Sequence, residues 1–410
     1  MIVRARWVWA AGRGLIENGA ARVQDGRIAE IESGRRLGGG PTVDAGDAVL
    51  LPGFINGHTH LELTHLENQV LPGHDFADWL GRLVEAVRAQ GDDPQQAGRS
   101  AVEGRQRSLT HGVTTVGDIS RHPEVTRPAL GSGPLRVVSF GEVIGIGSIR
   151  HLAERRLAEA ADRSGESDYL RVGVSPHAPY TLEAAGLRAC AKRAEIDGLR
   201  LCMHLAETPE ETEFTLNGSG PLRSHLERLG VWDEKVICPG VRPVAYAEAT
   251  GLLGPRTLLA HVNYVDDGEL EVLARSGVHV VYCPRTHAAF GHCPHRFAEM
   301  LARGINVCVG TDSLASNPSL SVLEELRFAH RQCPELAVEK LFEMGTTNSA
   351  KALGMEGIVG QIAVGKAADF AVLSLDAAGS GDVLRDVLES RTTPSGTCVG
   401  GQWVRPIGSS

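Results

Sequence analysis

The chain has 410 residues, 42% hydrophobic and 22% charged, with a formal net charge of -9. That length suffices for one large core and a small companion domain. The acidic balance excludes the clustered Lys and Arg of a nucleic-acid surface, and no apolar run approaches the ~20 residues of a spanning helix.

The N-terminal stretch MIVRARWVWAAGRG has neither an uninterrupted apolar core nor a cleavage site, so no signal peptide is read there. Residues 1–52 look like short strands and turns. In RVQDGRIAEIES, Asp25-Gly26 between alternating apolar positions is a hairpin signal. Residues 355–410 behave alike, with ADFAVLSL followed by GTCVGGQWVRP and a turn at Gly400-Gly401. The two ends are expected to form one small β-sandwich domain around an inserted middle, 53–354.

That middle alternates apolar runs with helical patterns. The runs are LLPGFINGH, VTTVGDI, LRVVSFGEV, LRVGVSPH, LRLCMHLAE, TLLAHVN, VHVVYCP and INVCVGTD. Between them lie ADWLGRLVEAVRA, LEAAGLRACAKRAE, DDGELEVLARSG and LSVLEELRFAHR. Eight buried-strand signals alternating with helices predict an α/β fold, a (β/α)₈ TIM barrel whose active site lies at the C-terminal strand ends. Those ends carry His58, His60, Asp118, Glu142, His177, His204, Glu207, His261, Arg285 and Asp312.

His58 and His60 are two apart, so in an extended segment both imidazoles can reach one ion. His204 completes a three-imidazole set. Asp312, ending an apolar strand, must be paired, hydrogen-bonded or on a metal, because burying it bare is too costly. Such a donor set with an open position suits one divalent metal, Zn²⁺ ahead of Fe²⁺ or Mn²⁺. The only lysine between His60 and His204 is Lys192, in a helical run, so a lysine bridging two metals from a strand end is not expected.

The eight cysteines (Cys190, Cys202, Cys238, Cys283, Cys293, Cys308, Cys333, Cys398) form no CxxC pair. Neither a disulfide framework nor a thiolate zinc site is signalled, and a reducing, cytoplasmic location is expected. His287, His292, His295 and Cys293 crowd one loop and raise a weaker idea of a second metal site.

The ordered motifs PGFINGHTH, HLAE, AHVNYV, CPRTHAAFGH, GTDS and VGKAADFAVL resemble the amidohydrolase superfamily. Within it the chain is similar to the adenosine, guanine and S-adenosylhomocysteine deaminase and chlorohydrolase branch. The resemblance implies that His58, His60, His204 and Asp312 bind the metal and that Asp312 also takes a proton from water. It further implies that His261 stabilises charge at the attacked carbon and that Glu207 protonates the ring nitrogen. His177 matches a ring-contacting position, while Glu62, Glu85 and Glu142 are candidates for ribose hydroxyls.

Two departures, CPRTHAAFGH in place of CPxSN and a long segment between Glu207 and His261, resemble the aminodeoxyfutalosine deaminases of menaquinone biosynthesis. Arg285 and Phe290 would then meet an aromatic, carboxylate-bearing tail. The long segment is expected to form helices over the pocket mouth.

Alternatives are an S-adenosylhomocysteine, methylthioadenosine or guanine deaminase, an s-triazine chlorohydrolase, a cyclic-amide hydrolase, or a non-catalytic metal-binding barrel. The partner is expected to be a small molecule, with no nucleic acid or membrane; a homodimer is left open.

Overall fold

A computed structural model describes residues 1–33, 39–89, 91, 93–375 and 381–408. The chain opens with five strands, β1 (Ile2–Ala10), β2 (Gly14–Gln24), β3 (Arg27–Ser33), β4 (Thr42–Asp44) and β5 (Ala48–Pro52). Eight barrel strands follow: β6 (Phe54–Thr59), β7 (Val113–Ser120), β8 (Arg136–Val143), β9 (Leu170–Pro176), β10 (Arg200–Leu205), β11 (Thr257–His261), β12 (His279–Tyr282) and β13 (Asn306–Val309). Three more, β14 (Phe370–Ser374), β15 (Gly396–Val399) and β16 (Gln402–Arg405), return to the first group.

The barrel strands pair in parallel in the unbroken order β6 to β13. β7 and β8 are buried at every position, as strands between a filled lumen and an outer ring of helices must be. That two-sided burial is why they read as apolar runs rather than as alternation. The helices between them carry their own signals. Asp266 caps Asp267–Ser276 through a capping box with Glu269, and Gly277 ends it in the left-handed conformation.

The chain ends form one mixed sheet, β16-β15-β14-β5-β1-β2-β3, with β4 paired to β1. Both turn signals form hairpins: Asp25 and Gly26 lie at φ 48° and 73°, Gly400 and Gly401 at 55° and 80°, the left-handed geometry tight hairpins need. The run LLPGFINGH proves to be two strands. Its first half, β5, pairs with β1 and β14, and only Phe54–Thr59 enters the barrel. Met355, Val359 and Ala367 pack with Ile55, Val138 and Phe140 from the barrel strands, so the segment before β14 also seals the lumen. Among the described residues no helix is long and apolar enough to cross a membrane.

One buried ion pair joins the two units. Arg136, on β8, grips Asp369 with two hydrogen bonds of 3.0 and 3.2 Å and lies over the Tyr169 ring at 4.6 Å. Asp369 also accepts the Gly400 amide at 2.7 Å. Asp369→Ala would leave a guanidinium buried without its counter-charge. It is expected to cost about 3 kcal/mol in urea denaturation; an unchanged midpoint would refute the pair's structural role.

Candidate active site

The barrel closes where β6 meets the end of β13. The His58 carbonyl accepts the amides of Thr311 and Asp312 at 3.1 and 3.0 Å. Asn56 Oδ1 accepts the Thr311 amide at 3.0 Å, and its Nδ2 donates to Thr311 Oγ1 at 2.7 Å. Thr59 Oγ1 donates to the Asp312 carbonyl at 2.9 Å. Gly310 permits this approach, because a β-carbon there would lie 2.8 Å from the His58 oxygen. The seam brings Asp312 Oδ1 to 3.6 Å from His58 Nε2 and 3.4 Å from His60 Nε2.

From β10, His204 brings its Nε2 to 3.3 Å from His60 Nε2. One ligand atom from each of His58, His60 and His204 lies within 4.8 Å of the others. His204 Nδ1 donates to the His177 carbonyl at 3.0 Å, which fixes the tautomer and leaves Nε2 with its lone pair facing the cluster. His58 Nε2 is buried and has no hydrogen-bond partner. Burial drives His60 down to about 3 and His204 well below the usual imidazole range. Neutral imidazoles with converging lone pairs repel one another unless a cation lies between them, so the donor set fits a divalent metal. Asp312, desolvated by burial, is nonetheless held low by the surrounding imidazoles, and its Oδ2 accepts Ser316 Oγ at 2.6 Å.

His261, ending β11, places Nε2 3.5 Å from Glu207 Oε1. Burial pushes the Glu207 carboxyl well above the ordinary range, assisted by the charges of Asp312 and Glu211, and it drives His261 down to about 3. Ala206, His261, Val262 and Asp312 all have positive φ, between 52° and 73°. Left-handed backbone is costly for residues with a β-carbon, and here it falls at the ends of β10, β11 and β13. Glu211, invisible to the motif reading, accepts the amides of Ala206 and Glu207 with its two oxygens; burial pushes its pKa up, and those two amide hydrogen bonds oppose the rise by favouring the carboxylate. Asn263 Nδ2 holds the Glu207 carbonyl at 2.9 Å.

Of the other sequence-predicted residues, His177 joins the cluster, its ring 4.8 Å from that of His204. Its Nε2 is 3.6 Å from Glu142 Oε1, and burial raises Glu142. Glu62 and Asp118 are buried beside them in supporting positions. Glu62 accepts the amides of Arg121 and His122, and Asp118 Oδ1 accepts the Leu61 amide at 2.8 Å.

The structure does not bring two of the expected substrate-binding residues to the histidine cluster with free polar groups. Glu85 lies exposed on the helix Phe76–Ala89, in a surface groove lined also by Asp75, Asp78, Arg82 and Arg228, away from the histidines. Arg285 is spent within the fold: its Nε donates to Glu325 at 2.7 Å, and Nη2 to Asn317 and to Ser319. A guanidinium so engaged clamps the loop after β13 and has little left for a ligand.

His287, His292 and His295 do lie together, with ring centroids 5.3 and 5.7 Å apart. Yet among the described residues their donor atoms form no metal-competent group, and Cys293 is exposed. His295 Nε2 donates to the His261 carbonyl at 2.8 Å, and Tyr264 bonds His292 at 3.1 Å, so this loop buttresses His261.

The segment between Glu207 and His261 forms three helices, Pro209–Asn217, Pro221–Arg228 and Pro243–Ala249. Phe214 and Leu222 from the first two pack with Phe76, Trp79, Tyr180 and Phe290 in a separate apolar cluster. The helices expected from the sequence form, and the first two pack through this apolar cluster.

The sequence matches the amidohydrolase family over residues 49–404. It is 31% identical over 383 residues to a 5-methylthioadenosine/S-adenosylhomocysteine deaminase of Nitratidesulfovibrio vulgaris, covering 89% of this chain and 81% of that protein. It is 30% identical over 329 residues to the aminodeoxyfutalosine deaminase of Deinococcus radiodurans, covering 75% and 74%. The fold resembles a zinc-bound adenosine deaminase from Xanthomonas campestris, with TM-score 0.84, 22% identity and coverage of 99% and 93%. The histidine cluster at the closed barrel seam and the match across nearly the whole chain agree: this protein is a hydrolase of the amidohydrolase family.

Proposed function

We propose that the protein hydrolytically deaminates an adenine-type nucleoside in the cytoplasm, with 6-amino-6-deoxyfutalosine as lead substrate and menaquinone biosynthesis as the setting. The observation that carries the chemistry is a desolvated Glu207 carboxyl 3.5 Å from His261, beside three imidazoles and Asp312. A bare metal-binding barrel needs no such acid.

His58, His60, His204 and Asp312 would hold one divalent ion, for which zinc suits the nitrogen-rich set. When bound, such an ion lowers the pKa of water towards ~7. Asp312 receives the proton of the attacking water at a carboxylate oxygen. Glu207, kept protonated by burial, gives its proton to the ring nitrogen beside the amino-bearing carbon. His261 steadies the oxygen that becomes bonded to that carbon. The proton held by Asp312 passes to the amino group and the C–N bond breaks; ammonia leaves as the added hydroxyl gives its proton back to Glu207, which restores the acid and yields the oxo product. His177 and Glu142 line the side where the ring and ribose would lie.

Support for aminodeoxyfutalosine comes from likeness to the Deinococcus enzyme and from the CPRTHAAFGH loop, not from Arg285. The engagement of that arginine favours a second reading, a nucleoside without an anionic tail such as methylthioadenosine, also named among the relatives.

Ammonia release from the zinc-loaded protein, assayed with aminodeoxyfutalosine, methylthioadenosine, S-adenosylhomocysteine, adenosine and guanine, separates these readings. The highest kcat/KM is expected for aminodeoxyfutalosine; a preference for methylthioadenosine would replace the substrate, and no release from any would remove the deaminase reading. Glu207→Gln should retain metal and lose about 10²- to 10⁴-fold in kcat, whereas undiminished turnover would exclude it as the acid. His204→Ala should lose metal by elemental analysis; full stoichiometry would contradict a ligand role.

A further inference from the structure

Glu211 lies in the helix Pro209–Asn217, one turn beyond Glu207, and is completely buried. Its Oε1 accepts the Ala206 amide at 2.9 Å and its Oε2 accepts the Glu207 amide at 2.8 Å. Ala206 is left-handed at φ 52°. Successive amides around such a residue point inward together and form a cradle for an anion, and here the chain fills that cradle with its own carboxylate.

The opposite edge of the same segment is held as well. Asn263 Nδ2 donates to the Glu207 carbonyl at 2.9 Å, and the Tyr264 amide donates to the Ala206 carbonyl at 2.9 Å. Glu207 therefore has both its own amide and its own carbonyl tied before its side chain begins. The side chain has only its own torsions left with which to find His261.

We propose that Glu211 is a positioning residue for the deamination: its carboxylate locks the Ala206–Glu207 backbone so that the Glu207 acid stays aimed at the substrate nitrogen. This rests on the reading of Glu207 as proton donor. The requirement is geometric. One oxygen cannot serve two diverging amides, and a side-chain amide would turn an N–H towards one of them.

The test compares zinc-loaded wild type, Glu211→Gln, Glu207→Gln and the double variant, on whichever substrate the wild type turns over. Glu211→Gln should keep its metal and its KM within about twofold while kcat falls about 10- to 100-fold, the cost of misplacing a catalytic group. The double variant should be no slower than Glu207→Gln alone, because a residue acting only through another adds nothing once that one is gone. Glu211→Asp, which keeps both oxygens on a shorter arm, should recover part of kcat, and it serves as the probe should Glu211→Gln not fold. A Glu211 effect equally large in the Glu207→Gln background, or one accompanied by metal loss, would overturn the proposal. Full activity of Glu207→Gln would instead defeat the proton-donor reading, and a wild type that releases no ammonia would defeat the deaminase reading.

Discussion

The site depends on one backbone junction. The His58 carbonyl takes two amides from the chain that follows β13, those of Thr311 and Asp312, and so turns an open parallel sheet into a barrel. The same junction sets the HxH pair that ends the first barrel strand beside the aspartate that follows the last, although they are 254 and 252 positions apart in the chain. Closure and the gathering of these side chains are one event. A slip of one residue in this seam would reverse the facing of His58 and His60 together.

Around that junction burial does opposite things to neighbouring groups. It removes the charge from His60, His204 and His261, which leaves nitrogen lone pairs available. It also holds the proton on Glu207. Asp312, ringed by imidazoles, is held low in spite of its burial. A protonated and an ionised carboxyl thus coexist in one site at one pH because their surroundings differ, not their chemistry.

Much of this was legible in the sequence. Buried barrel strands are apolar throughout, so their runs and the polar residues ending them could be read directly, and the HxH, HLAE and GTDS motifs converge as expected. What stayed hidden in the sequence had no local signal. Arg285 ends a strand like a ligand-facing residue, but its partner Glu325 comes 40 positions later and absorbs it. Glu85 sits on an amphipathic helix whose rotation towards solvent is set by what Trp79 packs against. LLPGFINGH is continuous in sequence yet divides at Gly53, where a β-carbon would collide with Thr114. Glu211 escaped notice because its role is towards amides, which carry no residue code, although its place one turn after HLAE could have flagged it.

The end sheet carries a consequence for biosynthesis. β5 lies between β1 and β14, with Pro52 opposite Phe370, so one edge of it stays bare until nearly the whole chain has left the ribosome. The lumen, likewise, is not sealed until Met355 and Val359 arrive. Such late, long-range pairing slows folding and leaves a strand edge open to strangers in the interval. A ribosome stalled within the last barrel helices would hold His58, His60, His204 and Asp312 already made on a chain that cannot yet close its floor.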